Sequence, residues 1–394
     1  MDCETKQTTT PMRPAGQSAS GRGVIITALG LLALGVVMVH SAVMSVGESS
    51  AWYARVDMRH TLFAALAAGV LLVGWRVNYR WLSAGPGLPW LSLGLLIAAI
   101  VLGGLVFVPG VGHAVGGKFR WIRLGPREYS LGLQPSELIK LSLIVFLSCW
   151  LTRRGEKVRS VWTFLAAGAL TAACMALVVT QDFGTAGLIG VSAGVVMFLA
   201  GVPWYYLAGA GVAAAGAFSH IVIQTPFRLQ RILAMLDPWD AANNSTYQVR
   251  QSLTAIFSGE WTGRGLGLGV RKLGFLPEDS TDFIFASFCE EWGFRGAVLL
   301  AALLLIWLWH CRRTAARAGD ELGRVLSAGL GTMIALQAVM HVAVNLNALP
   351  PTGISLPFVS AGGTSLVITA VAASLIASVA ARPAEAHIER VHEN

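Results

Sequence analysis

Apolar residues fall into ten runs along the chain, at about 24–46, 59–75, 88–108, 136–152, 162–180, 184–201, 204–223, 286–309, 325–347 and 361–381. Each is close to the roughly 20 residues that a helix needs to cross a ~30 Å hydrocarbon core. Most connections are short. Two are long and polar, at 109–135 and 224–285, and polar tails flank the whole at 1–23 and 382–394. The pattern predicts an all-α polytopic membrane protein. It has about ten transmembrane helices within 24–381 and a large extracytoplasmic loop between helices 7 and 8. The first run is too long for a signal-peptide core and reads as an uncleaved anchor.

Composition agrees. Hydrophobic residues make up 55% of the 394 and charged ones 13%, against about 25% charged in a soluble domain. So few charges cannot coat a water-exposed surface of this size. Cys3, Cys149, Cys174, Cys289 and Cys311 form no CxxC pair, which argues against a disulfide scaffold or a zinc ribbon. His40, His220, His310 and His341 are isolated, with no metal spacing. Gly190 and Gly194 form one GxxxG step of the kind that lets lipid-embedded helices approach.

Lysine and arginine in short loops mark the cytoplasmic side. With a cytoplasmic amino terminus, Arg76, Arg80, Arg153, Arg154, Lys157, Arg159, Arg312, Arg313, Arg317 and Arg324 fall inside. An even number of spans returns the carboxyl terminus to the same side. The long outer loops nonetheless hold Lys118, Arg120, Arg123, Arg127, Arg228, Arg231, Arg250, Arg264, Arg271 and Lys272. Basic residues outside a membrane disfavour nucleic acid and suit an anionic substrate.

The unusual polar segments share that outer side. Glu137 and Lys140 are three apart and can pair on one helical face. An unpaired charge at mid-membrane costs about 2.5–3.5 kcal/mol, so the alternatives are a structural ion pair and a substrate role. Asp182, in the turn Gln181-Asp-Phe-Gly-Thr185, either caps the next helix or faces substrate. The glycines Gly263, Gly265, Gly267 and Gly269 resemble a phosphate loop only superficially, lacking its lysine and its strand-to-helix setting. They read as flexible backbone that can approach a ligand, or else as purely structural turns.

Asp282 stands where the long loop re-enters the membrane. Partial desolvation there would raise its pKa toward that of a general base; the plainer role is a helix cap. Glu290 and Glu291 lie one to two turns deeper, with Arg295 as a candidate partner. After the prolines of 349–357, Ser360, Gly362, Gly363, Thr364 and Ser365 open a helix whose N–H groups can hold an anion, or else form a re-entrant turn. Together these features suit a substrate with a diphosphate and a lipid tail.

The strings GKFRWIRLG, QPSELIKLS, QDFGTAGL, LDPWD, YQVRQSLTAI, LGFLPEDSTDFIFA, EEWGFRG and LPPTGISLPFVSAGGTS resemble the SEDS family, the FtsW/RodA/SpoVE group. They run in family order from about residue 110 to 370; the first 100 residues match in hydropathy alone. YQVRQSLTAI and VRKLGFLPE are closer to FtsW than to RodA. The resemblance implies a ten-span peptidoglycan glycosyltransferase of the cytoplasmic (inner) membrane, with both termini cytoplasmic. It would polymerise lipid II at the outer face during septal wall synthesis. Its implied partners are a class B penicillin-binding transpeptidase, other divisome proteins and membrane lipid. By family motif Asp282 is the essential carboxylate. Trp121, Glu137, Lys140 and Asp182 match positions associated with activity, and Ser360 to Ser365 match the GGS-type loop.

In this reading Asp282 deprotonates the acceptor sugar's 4-hydroxyl, which attacks the donor's anomeric carbon with inversion. Lys140 and loop arginines such as Arg120 offset the charge on the departing undecaprenyl diphosphate. A divalent cation, magnesium or manganese, would suit carboxylates and phosphates, but the sequence holds no complete metal cage and no metal ligand is assigned. Transport of lipid II across the membrane and a non-catalytic scaffold are the alternatives. The chain departs from the family pattern in four extra residues between Trp121 and Lys140. Gly132 stands where many members carry arginine, with Arg127 a candidate substitute. Ala361 takes an aromatic's place, and Phe257 and Glu260 interrupt a usually Gly-rich loop.

Overall fold

The computed structural model describes residues 15–43, 55–115, 118–124, 131–239, 246–270, 276 and 279–382. The tails 1–14 and 383–394, and Arg127, Arg271 and Lys272, lie outside the described residues. In lipid, backbone polar groups must be satisfied within the segment, and the apolar runs achieve this as helices. In chain order the first elements are α1 (Ala15–Val43), α2 (Val56–Gly74), α3 (Trp90–Leu105), the strands β1 (Gly112–Val115), β2 (Lys118–Leu124) and β3 (Leu131–Leu133), then α4 (Pro135–Thr152), α5 (Val161–Val179) and α6 (Phe183–Leu199). There follow α7 (Trp204–Ile223), α8 (Pro226–Leu236), α9 (Thr246–Ser258), α10 (Ile284–Ala316), α11 (Glu321–Asn345) and α12 (Gly363–Ala381).

Among the described residues, eight helices are long and apolar enough to cross a membrane, and α3 and α6 are shorter apolar helices. Every predicted run is therefore helical, within a few residues of its expected bounds except for α1 and α10, which extend further. α4 and α12 are the most buried, whereas α7 stands at the periphery with almost its whole surface exposed. Glycines set the closest approaches. A Cβ on Gly35 would lie 2.7 Å from Val359 O, and one on Gly74 would lie 2.6 Å from Ser374 Oγ. The expected GxxxG step is not such a contact: Gly190 abuts Met175 of α5, but Gly194 faces open space.

The long loops are more ordered than their polarity suggests. In the first, β1, β2 and β3 form an antiparallel sheet in which Arg123 pairs with Gly132. The aromatic and β-branched content of Lys118-Phe-Arg-Trp-Ile-Arg-Leu124 favours a strand over a coil. In the second, α8 and α9 are helical and α9 packs on α10.

α10 breaks at Gly293, whose φ is 66° and ψ −165°. The break strands backbone groups that the glycine run of the long loop satisfies: Arg264 N donates to Glu290 O (3.0 Å), Gly265 N to Glu291 O (3.0 Å), and Phe294 N to Glu260 O (2.8 Å). Gly263, at φ 77°, lies so close to Glu291 O that a side chain there would overlap it. These glycines thus have the structural role, bringing their backbone against α10. Arg295 is not the carboxylates' partner, because it donates to Trp261 O (3.3 Å). Glu290 accepts from Val270 N (3.0 Å), and Glu291 accepts from Ser41 Oγ (2.7 Å) and Gly267 N (3.1 Å).

Hydrogen bonds gather the connections at two ends. At one, Arg153 reaches Ser83 (2.8 Å), Tyr79 and Arg80 reach Asp320 (2.8 and 3.1 Å), and Arg382 reaches Arg76 O (2.6 Å). Burial, and then the Asp320 carboxylate, push the Tyr79 hydroxyl up to about 12. The other end carries the sheet, α8, α9 and the candidate site.

Candidate active site

The turn between α5 and α6 places Asp182 as the N-cap of α6. Its Oδ1 accepts from Thr185 N (3.0 Å) and its Oδ2 from Thr185 Oγ1 (2.9 Å), an arrangement worth about 1 kcal/mol. The capping role is therefore real. The same residue also lines an open cleft of about 500 Å³, counting its mouth, together with Arg120, Arg228, Arg231 and Gly353. Phe218, Val222, Phe227 and Ile232 give that cleft an apolar wall.

Arg120 enters from β2, its Nε donating to Gln181 O (2.8 Å). Adjacent strand residues face opposite ways, and Trp121 accordingly lies on the other face, against β3. A Cβ on Gly132 would sit 2.7 Å from the Trp121 ring, so the indole fills the space that a longer residue at 132 would need. This links two features of the sequence: with glycine at 132, the tryptophan takes the place of the side chain.

Asp282 is half-buried in the turn that precedes α10. It and Arg120 meet at Gly353, on the loop between α11 and α12. A Cβ there would lie 3.1 Å from an Arg120 terminal nitrogen and 3.6 Å from Asp282 Oδ2. Arg231 senses the same cluster. Burial lowers its pKa first, then the Arg120 charge, while Asp282 and Asp182 act to raise it. Asp282, Arg120 and Asp182 are thus brought together, and Arg228 and Arg231 join them.

The remaining candidates support this group from behind. Lys140 Nζ donates to Glu137 (2.8 Å) and to Gln337 Oε1 (2.6 Å), and is 2% exposed. The ion pair is formed, and Lys140 is not among the residues lining the cleft. Gln337 in turn donates to Ser355 O (2.9 Å), two residues from Gly353. Ser360 Oγ donates to Thr281 O (2.8 Å), Ala361 N to Ser280 O (2.9 Å), Thr364 Oγ1 to Gly132 O (2.9 Å), and Ser365 shares a bond with Ser355 (2.9 Å). Gly363 abuts the Phe63 ring, 2.7 Å from where a Cβ would be, and Gly362 is the N-cap of α12. This segment therefore braces the Asp282 turn and the sheet through its side chains.

No group of three or more His, Cys, Asp or Glu able to hold a metal lies among the described residues. Asp182 and Asp282 share their surroundings with guanidinium groups. This donor set fits an anion better than a cation, so no step is derived through a metal.

A family model described as cell cycle protein, FtsW/RodA/SpoVE, matches residues 22–385. The chain belongs to this family. Proteins named as probable peptidoglycan glycosyltransferase FtsW share 39% identity over 364 residues in Marinobacter nauticus and 37% over 359 in Nitrosococcus halophilus. The aligned regions cover 90% and 89% of this chain, and 88% and 90% of those proteins. Among solved structures, a chain of a peptidoglycan synthase complex that coordinates polymerization and crosslinking superposes with a TM-score of 0.72 at 26% identity, covering 91% of this chain and 97% of that one. The rod shape determining protein RodA of Thermus thermophilus gives 0.65 at 25%, covering 91% and 96%. Two of this chain's departures from the family pattern lie beside α10 in the long loop. Phe257 is 72% exposed, and Glu260, at φ 47°, gives its carbonyl to the α10 break.

Proposed function

We infer that this SEDS protein is a peptidoglycan glycosyltransferase that polymerises lipid II at the outer face of the inner membrane, in the division branch of the family. The meeting of Asp282 and Arg120 at Gly353, beside a cleft with cationic and apolar walls, carries this reading. The basic end tied together by Arg153, Asp320 and Arg382 then faces the cytoplasm, with both termini on that side. The residues that line the cleft gather at one end of the bundle, which supports surface chemistry over transport.

Asp282 accepts the proton of the acceptor's 4-hydroxyl. The resulting oxygen forms a bond to the donor's anomeric carbon from the face opposite the diphosphate. The carbon–oxygen bond to the diphosphate breaks, and that electron pair leaves with the lipid, inverting the centre. Base assistance contributes about 10²–10⁴ in rate, and cations preorganised around the leaving group contribute further. A class B penicillin-binding transpeptidase is the partner, supported by the likeness to a chain of a complex that couples polymerization to crosslinking. The test is polymerisation of lipid II by the purified protein with that partner, comparing wild type with Asp282→Ala. Undiminished polymer from the variant overturns the base assignment.

A further inference from the structure

Gln337 of α11 lies between α4 and the loop that joins α11 to α12, and it is 1% exposed. Its Oε1 accepts from Lys140 Nζ at 2.6 Å, and its Nε2 donates to Ser355 O at 2.9 Å. A carboxamide has an acceptor at one end and donors at the other, and nothing in the group itself decides which way it points. Lys140 decides it here. An ammonium offers donors alone, so the amide oxygen faces α4 and the NH₂ faces the loop. Glu137, which accepts from the same Nζ at 2.8 Å, holds the ammonium in place. Turned the other way, the buried amide would set N–H against N–H and oxygen against oxygen, and both bonds would be lost.

The Ser355 carbonyl shares one planar peptide with Leu356 N–H, so a donor that fixes the first also orients the second. Leu356 N donates to Ser360 Oγ (2.7 Å), and that hydroxyl donates to Thr281 O (2.8 Å), on the residue before Asp282. One turn further along α11, the His341 ring holds the preceding peptide through Ile354 O (2.8 Å). We propose that Gln337 is a positioning residue for Asp282. The Lys140 ammonium locks its amide, the amide fixes the Ser355–Leu356 peptide, and Ser360 carries that position to the main chain beside the carboxylate. This gives the Glu137–Lys140 pair a part in turnover that needs no contact with substrate. The role rests on the reading of Asp282 as the base.

The test exchanges two side chains around Lys140. Glu137→Gln with Gln337→Glu keeps the net charge, nearly keeps the volume, and leaves one carboxylate and one amide against the ammonium. A carboxylate at 337 has acceptors only, so the Ser355 carbonyl loses its donor. The full-length swap protein in nanodiscs is compared with wild type by thermal unfolding, by hydrogen exchange, and by polymerisation of lipid II with the transpeptidase partner. It is expected to unfold near wild type. Amides of 352–356 and 281–286 are expected to exchange about 10-fold faster, the scale of one lost hydrogen bond, with α5 unchanged. Displacement of the base is expected to lower kcat at least ~10-fold at equal folded protein. If the swap protein does not fold, Gln337→Met, which removes the donor and keeps the Glu137–Lys140 pair, carries the same expectation. Wild-type kcat overturns the role, and so does a lowered kcat with unchanged exchange in both segments. A rise in exchange across all helices with a loss of stability overturns it in favour of a purely structural glutamine. Absence of polymer from wild type would count against the glycosyltransferase reading instead, and exchange, measured without lipid II, would still decide whether Gln337 holds the Asp282 turn.

Discussion

Asn345 Nδ2 donates to the main-chain carbonyl of Asp282 at 3.1 Å, while its Oδ1 accepts from Ala286 N at 3.1 Å. One fully buried amide thus holds both the acidic turn and the first turn of α10. The same Nδ2 bonds His341 O (2.9 Å), and the His341 ring bonds Ile354 O (2.8 Å), next to Gly353. The end of α11 therefore fixes both sides of the Asp282–Gly353 contact.

Asn345→Ala should misplace Asp282 without removing it. Small displacements of a reacting group can cost 10²-fold, so turnover should fall at least ~10-fold with KM little changed. The buried groups left unpaired also cost about 1–3 kcal/mol each. Steady-state polymerisation and thermal unfolding measure the two effects, and equal falls in kcat and folded fraction would assign Asn345 to stability alone.

A Cβ at Gly353 would make a tight contact with Arg120 and an ordinary one with Asp282. Gly353→Ala places a methyl 3.1 Å from one and 3.6 Å from the other, and should reduce turnover several-fold. Gly353→Val should reduce it much more, with the fold retained. Full activity in the valine variant would remove this contact from the mechanism.

The Glu137–Lys140 pair is fully enclosed, and breaking such a pair from one side costs about 3–5 kcal/mol. Lys140→Met should therefore lower thermal stability strongly, and Glu137→Gln with Lys140→Met should restore part of it. A stable Lys140→Met protein that binds donor poorly would instead return the lysine to the substrate.

Gly132→Arg should destabilise this chain, because the Trp121 ring lies 2.7 Å from the new Cβ. Trp121→Ala in the same chain should relieve the cost. Thermal unfolding of the two variants and their combination checks the coupling, and additive losses would contradict it.

The helices were legible because a long apolar run in lipid has few other ways to satisfy its backbone. Asp182 as a cap, and Glu137 with Lys140 as a pair, were legible from residue type and spacing. Arg228 and Arg231 were visible only as excess loop charge, since nothing local links α8 to the loop between α11 and α12. Gln337, His341 and Asn345 did leave a signal. They recur every fourth residue along an apolar helix, a polar stripe that lipid does not tolerate without partners. Gly132 was opaque, because its meaning lies in a ring from the neighbouring strand.

The most direct measurement is glycan-strand formation from lipid II by the purified protein and its transpeptidase partner, with Asp282→Asn beside wild type. Wild type should form polymer and the variant none at equal folded protein. Polymer of wild-type amount and length from Asp282→Asn would contradict it.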